Sequence, residues 1–131
     1  MRRAAKASLK FPPVELDGRQ ALACASGIAV RLGRYDLKCF AAAFLPDHIH
    51  LVIERGEMPA DVLLPRLKAG ATQGLNTAGI HPCPGRKVWA GKGRHRFVSD
   101  ERHLREVVRY VDDNPVKAGL PRQRWSFVAP M

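Results

Sequence analysis

The chain has 131 residues, 46% of them hydrophobic, which is the size and composition of one folded domain with its own core. It carries 22 lysines and arginines against 12 acidic residues, giving a formal net charge of +10 and a pI near 10.3. This excess favours a polyanionic partner, nucleic acid first, because each phosphate contact releases condensed counterions. The alternative is a solvated basic surface that only aids solubility.

The cysteines and the N-terminal residues favour a cytoplasmic, nucleoid-associated protein without a membrane partner. Cys24, Cys39 and Cys83 are odd in number and widely spaced, so reduced thiols are expected. No apolar run has the length of a signal peptide or of a bilayer span. Within the single domain 1–131, residues 1–16 are predicted to form an extended or partly disordered arm, because Pro12 and Pro13 exclude a helix there.

The first half of the chain contains a helix followed by two strands. Asp17 and Gln20 have the spacing of a capping box, and apolar residues then recur at helical intervals, so a helix is predicted over 18–33. Two apolar runs at 36–44 and 48–55 predict strands joined by a tight connection.

The second half contains two further helices separated by a basic loop. A helical pattern covers 60–78, although prolines and glycines disturb it. The last helix is predicted over 101–113, and Pro115 is expected to stop it.

Residues 79–97 are predicted to form a loop in which glycines, cations and Trp89 occur together. That composition suits single-stranded nucleic acid, where cations neutralise phosphates and bases stack on an aromatic ring. Equally, Trp89 could pack on the core beneath a solvated loop, and the cations of the preceding helix could form a solvated face. The candidate DNA contacts are Arg66, Lys68, Arg86, Lys87, Lys92, Arg94, His95 and Arg96.

His48 and His50 lie in an aliphatic run, Leu45 to Ile53. Side chains alternate across a strand, so both histidines would point to one face while Ile49, Leu51 and Ile53 pack on the other. Such a pair can chelate a divalent metal, but two ligands are too few. A histidine pair in a strand is also often purely structural.

Tyr110 and Asn114 are four residues apart on the last predicted helix and therefore share a face. The side-chain carbonyl of Asn114 could complete a site for Mg²⁺ or Mn²⁺, which accept hard oxygen ligands. Tyr110 beside that metal could then act as a nucleophile on a phosphate. The ordinary alternatives are a core tyrosine with its hydroxyl at the surface and an asparagine that ends a helix before proline.

Two motifs carry a family resemblance. The histidine pair within Leu-Pro-Asp-His-Ile-His-Leu-Val-Ile resembles the motif of the HUH single-strand nucleases. Residues 109–120, Arg-Tyr-Val-Asp-Asp-Asn-Pro-Val-Lys-Ala-Gly-Leu, resemble the tyrosine helix of the REP-associated tyrosine transposases, a branch of the one-tyrosine transposases. Trp89, Arg96-Phe97 and Trp125-Ser126 also fall where that branch has similar residues, and the resemblance covers residues 20–127.

The resemblance implies an α+β, ferredoxin-like HUH fold, an antiparallel sheet with helices packed on it. It implies a divalent metal, Mg²⁺ or Mn²⁺, on His48, His50 and Asn114, and Tyr110 as the catalytic nucleophile. The tyrosine of such enzymes cleaves single-stranded DNA and leaves a 5′-phosphotyrosyl link and a free 3′-hydroxyl. Relatives recognise short imperfect hairpins. The expected activity is therefore that of a metal-dependent single-stranded DNA nuclease and strand-transferase acting on hairpin DNA.

Two other functions remain open. One is a catalytically silent, domesticated DNA-binding module of the same fold. The other is a phosphohydrolase of the histidine-triad type, which is a distant alternative because Val52 stands where a third alternating histidine would be.

The sequence departs from the family's pattern at its beginning. The family has a strand before the first helix, and residues 1–16 offer only Ala7 to Phe11 as a poor candidate. That strand is expected to be short or missing, or to be supplied by another subunit. An open sheet edge would invite pairing with a second chain, so a homodimer is one expectation.

Overall fold

The computed structural model describes residues 4–10, 15–84, 88–98 and 100–129, which form four strands and three helices. The strands form one antiparallel sheet in the order β2-β3-β1-β4. No helix in the described ranges has the length and apolarity needed to cross a bilayer. The elements are β1 Ala4–Lys10, α1 Gly18–Arg34, β2 Cys39–Phe44, β3 His48–Glu54, α2 Ala60–Ala78, β4 Ala90–Val98 and α3 Glu101–Lys117.

The two faces of the sheet bury different side chains. Ile49, Leu51 and Ile53 pack with α1 and α2 in the larger core cluster, as the alternation in the sequence predicts. Val52 points to the opposite face, where it packs with Val111 and other apolar residues of α3. The result is the predicted α+β arrangement, with α1 and α2 on one face of the sheet and α3 on the other.

β1 corrects the expectation of a short or missing first strand. It has 7 residues and lies inside the sheet, hydrogen-bonded to β3 on one side and to β4 on the other. The sequence hides it because alanine and lysine have low strand propensity. Ala4 and Ala7 are nevertheless buried, since their small side chains fit beneath the helices. This chain therefore supplies the strand that a second subunit would otherwise have to provide.

β4 corrects the prediction of a loop over residues 79–97, because residues 90–97 belong to this edge strand. Gly91 and Gly93 weaken its strand signal. An edge strand needs little hydrophobic surface, and polar alternation is enough to specify which residues share a face.

The ends of two predicted elements also differ from the structure. α3 continues through Pro115 to Lys117, because a proline in the last turn removes only one backbone donor and its ring is fully buried. The main-chain N–H of Ala118 then closes that turn on the carbonyls of Asn114 and Pro115. β2 begins at Cys39 rather than residue 36, since Asp36 adopts a left-handed turn with φ 53° after α1.

The helix predicted over 60–78 is present at those bounds, and the one predicted over 18–33 extends one residue further. The predicted capping box is confirmed: the Asp17 side chain accepts a hydrogen bond from the Gln20 backbone, and the Gln20 side chain accepts one from the Asp17 backbone.

α1 and α2 pack against each other through glycines that allow close backbone contact. A Cβ atom on Gly27 would overlap the backbone carbonyl of Gly70. A Cβ atom on Gly74 would likewise overlap the backbone carbonyl of Ala23. These clashes involve main-chain atoms, which cannot rotate away, so the interhelical distance depends on glycine at these positions.

Substituting Gly27 with alanine should therefore destabilise the fold by roughly 2 kcal/mol or more, because overpacking outweighs the gain in helix propensity. Gly33→Ala is the matched control in the same helix, since a Cβ atom there meets nothing within 4 Å. It should raise stability by about 0.5–1 kcal/mol. Urea unfolding followed by circular dichroism measures both changes. Equal effects of the two substitutions would contradict the close contact.

Candidate functional site

The site is built on the face of the sheet that α3 partly covers. His48 and His50 lie on β3 with their rings 4.5 Å apart, centroid to centroid, and nearly perpendicular at 86°. Both point away from Ile49 and Leu51, which are buried on the other face. The two imidazoles therefore lie side by side on one face of the strand, as the alternation in the sequence predicts.

Each histidine is held by its Nδ1 atom. Asp47 accepts a hydrogen bond from His48 across 2.6 Å, and the Ser8 hydroxyl is hydrogen-bonded to the Nδ1 of His50 at 3.0 Å. Among the residues that the structure describes, neither Nε2 atom has a partner. Hydrogen bonds to one nitrogen of each ring fix the ring orientation and leave the other nitrogen free to bind a ligand.

His50 stays neutral at physiological pH. It is only 8% exposed, and burial lowers the pKa of its imidazole to about 4, with further lowering by the charges of His48 and Lys6. The Asp47 carboxylate acts in the opposite direction. A neutral imidazole is the form that binds a metal, so His50 needs no deprotonation to act as a ligand at neutral pH.

Tyr110 approaches this pair from α3. Its ring centroid lies 6.4 Å from that of His50, and its side chain is 47% exposed. The Lys6 ammonium lies 4.4 Å from the centroid of the tyrosine ring, and the Lys117 ammonium lies 5.5 Å from it. The structure thus brings together the predicted histidines and the predicted tyrosine, with two cations beside the phenol.

Asn114 follows Tyr110 by one helical turn and lies between the buried residues Val111 and Pro115. Its Nδ2 atom is buried and has no hydrogen-bond partner among the described residues. A buried polar atom without a partner costs about 1–3 kcal/mol, and half a rotation of the amide would put the carbonyl oxygen in that place. If a cation bound that oxygen, the buried position of the Asn114 amide would have a partner. The described residues contain no cluster of three or more His, Cys, Asp and Glu side chains.

The sequence missed Ser8 and Lys6. Both lie on β1, where the register pairs Ser8 with His50 and Lys6 with Val52. Residues opposite each other in an antiparallel pair point to the same face, so β1 supplies two side chains to the site. The signal was the alternation of Lys6, Ser8 and Lys10 with Ala5, Ala7 and Leu9. It was unrecognisable while no strand was assigned there.

The candidate DNA contacts whose side chains are described lie on both faces of the sheet. Arg96 pairs in register with Lys6 and so shares the histidine face. His95 points the opposite way and, with Phe97, lines an apolar cavity of ≈ 240 Å³ at the start of α2. Arg66 and Lys68 belong to α2 on that same side.

Four of the predicted DNA contacts have no described side chain. Lys92 and Arg94 lie on β4, whose backbone is described. Arg86 and Lys87 lie outside the described residues.

Trp89 packs on the core. Its indole N–H donates a hydrogen bond to the Thr72 hydroxyl at 2.9 Å, and the ring contacts the larger core cluster. This supports the packing alternative of the sequence analysis rather than a base-stacking role.

Solved structures that share this fold include the following two. One is a REP-associated tyrosine transposase bound to a REP hairpin, with a TM-score of 0.65 and 18% identity over 97% of this chain and 76% of that one. The other is a protein of Deinococcus radiodurans R1 provisionally described as a transposase, with a TM-score of 0.57 and 14% identity over 87% of this chain and 89% of that one. No family model matches the sequence, and neither does any curated protein. The predicted fold is confirmed.

Acid should destabilise the protein through His50 in the presence of a chelator. Between pH 6.5 and about 4 the unfolded chain binds a proton that the folded chain does not, so the free energy of unfolding falls as pH falls through this window. The loss should be on the order of 3 kcal/mol, from about 1.4 kcal/mol per pKa unit. Thermal unfolding across pH 4–7.5 measures it.

His50→Gln should flatten the stability profile between pH 6.5 and 4. His95→Gln is the matched control, because it removes an exposed histidine on the opposite face of the sheet. If the free energy of unfolding of His50→Gln still falls between pH 6.5 and 4, another group causes the effect.

Proposed function

We propose that this protein is a metal-dependent single-stranded DNA nuclease and strand-transferase with Tyr110 as its nucleophile and hairpin DNA as its substrate. The observation that carries the proposal is the approach of the Tyr110 ring to 6.4 Å from the His50 ring, from elements far apart in sequence. The chain has the fold of transposases. The neighbour solved with a REP hairpin supports hairpin DNA as the class of substrate.

The chemistry of the donor set fits a divalent cation. His48 and His50 would bind it through their Nε2 atoms, and Asn114 through its side-chain oxygen, which would satisfy the buried amide. Two imidazoles and one hard oxygen suit Mn²⁺, and Mg²⁺ less well, since Mg²⁺ prefers oxygen ligands. When bound, such an ion polarises the scissile phosphate and neutralises charge that develops on it.

The chain's own residues then account for the reaction. The phenol oxygen of Tyr110 attacks the phosphorus and loses its proton, and the bond between phosphorus and the 3′ oxygen breaks. The 3′ oxygen takes up a proton, leaving a free 3′-hydroxyl and a 5′-phosphotyrosyl link. Because one phosphodiester replaces another, the bond energy is conserved, and attack by a 3′-hydroxyl reverses the step or joins a new strand.

Tyr110→Phe should abolish covalent protein–DNA adducts while leaving hairpin binding nearly unchanged, because only the attacking oxygen is removed. The assay mixes protein, Mn²⁺ and a pool of single-stranded hairpins with flanking tails, then separates adducts by denaturing electrophoresis. Tyr35→Phe is the matched control, since Tyr35 is the only other tyrosine and lies at the end of α1. Adducts that persist in Tyr110→Phe would refute the proposal. Binding by the wild type without any adduct would favour the silent DNA-binding module.

Ser8→Ala should weaken Mn²⁺ binding about tenfold, since loss of an outer-shell partner typically costs 10–100-fold in metal affinity. The Ser8 hydroxyl orients His50 through the 3.0 Å hydrogen bond to its Nδ1 atom. Ser26→Ala is the control, because that serine is exposed on α1. Isothermal titration with Mn²⁺ measures the affinities. If His50→Ala binds Mn²⁺ as tightly as the wild type, the metal site lies elsewhere.

A further inference from the structure

Two lysines from opposite ends of the chain meet at Tyr110. Lys6 comes from β1 and Lys117 from the last turn of α3, with their ammonium groups 4.4 and 5.5 Å from the centre of the phenol ring. The ring is exposed on α3, so core packing does not force this arrangement. Two like charges beside one exposed side chain repel each other. An anion bound between them would offset that repulsion.

Within the described ranges neither lysine forms an ion pair. The carboxylates of α3 that have partners take them from arginines: Arg102 pairs with Glu106, Arg105 with Glu101, and Arg122 with Asp113. A cation over an exposed ring is held weakly, whereas a hydrogen bond between an ammonium group and an anion is stronger. A phosphate that reaches the ring would therefore recruit both ammonium groups.

We propose that Lys6 and Lys117 form an anion site that binds the non-bridging oxygens of one DNA phosphate, the one next to the Tyr110 hydroxyl. This inference rests on the proposed function and adds to it the residues that hold the scissile phosphate. Before DNA binds, the two ammonium groups lie on the phenol ring. When DNA binds, they turn to the phosphate oxygens and hold the phosphorus beside the nucleophile.

The position of Lys6 suits this role for a second reason. Lys6 pairs in register with Arg96 of β4, so a cationic residue stands next to it across the sheet. A DNA strand that runs past Tyr110 toward β4 would meet Lys6 first and Arg96 next. Each of two successive phosphates would then have a cation beside it. Ser8, the neighbour of Lys6 on the same face, is already engaged by His50 and supplies no charge.

The test is a binding cycle between one lysine and one phosphate. A hairpin with single-stranded tails is prepared with a normal backbone and with a neutral methylphosphonate at each tail position in turn, and binding is measured with chelator present. At the correct position, Lys6→Met should lower affinity about tenfold for the normal hairpin but less than twofold for the neutral one. Equal losses on both at every position would overturn the proposal.

Three further variants keep the result specific. Lys117→Met should show the same coupling at the same phosphate, and Lys6→Arg should restore most of the binding because it keeps the charge. Lys38→Met removes an exposed lysine outside the site and should leave binding within the salt-dependent change expected for one charge, without coupling to any single phosphate. Melting curves exclude unfolding of the Met variants. Coupling of Lys6 and Lys117 to different phosphates would refute a shared site.

Adduct formation separates this proposal from the proposed function. If the wild type forms adducts, the coupled phosphate should be the one that is cleaved, and Lys6→Met should slow adduct formation at saturating DNA. If the wild type forms none, the nuclease proposal fails, and the binding cycle still decides whether the lysine pair binds a phosphate. Coupling at a phosphate other than the cleaved one would place the lysines outside the scissile position and overturn the assignment.

Discussion

The antiparallel register between β1 and β3 is the constraint on which the site depends. It sets Ser8 opposite His50 and Lys6 opposite Val52, so that β1 supplies a hydrogen bond and a cation to the histidine face. A slip of one residue would turn both side chains toward α1 and α2, because side chains alternate with a period of two. The alternation of Ala4 with Ala5 cannot fix this register by size. The large buried side chains of β3 and the pairing of β1 with β4 on its other edge must do so.

The helices cover the two faces of the sheet differently. α1 and α2 cover one face of the sheet through apolar contacts, and the glycine contacts between them keep the two helices close together. α3 packs mainly over β2 through Leu104, Val107 and Val111. Tyr110 precedes Val111 on the helix and so lies at the border of the packed stripe, exposed beside the histidines. α3 therefore packs on the sheet with one face and exposes Tyr110 on the adjacent face.

The sequence predicted the parts of the molecule that periodicity and motif spacing determine. The capping box at Asp17, the facing of His48 and His50, and the fold implied by the two motifs are all present in the structure. The sequence did not predict the features that depend on tertiary contacts. β1 is stabilised by two neighbouring strands rather than by its own propensity, and α3 passes Pro115 because burial of the ring compensates for one lost hydrogen bond. Ser8 and Lys6 could not be found before β1 was known, since only pairing brings them to the histidines.

The charge of the chain shows why geometry is needed to locate its partner. A net charge of +10 favours an anionic ligand but is spread over both faces, with Arg66 and Lys68 on one and Lys6 and Arg96 on the other. What distinguishes the tyrosine face is the state of its neighbours. Burial keeps His50 neutral, so no imidazolium at this position repels the lysines beside Tyr110. The positive potential at the phenol then comes from the long side chains of Lys6 and Lys117, while His50, hydrogen-bonded to Ser8, carries no charge.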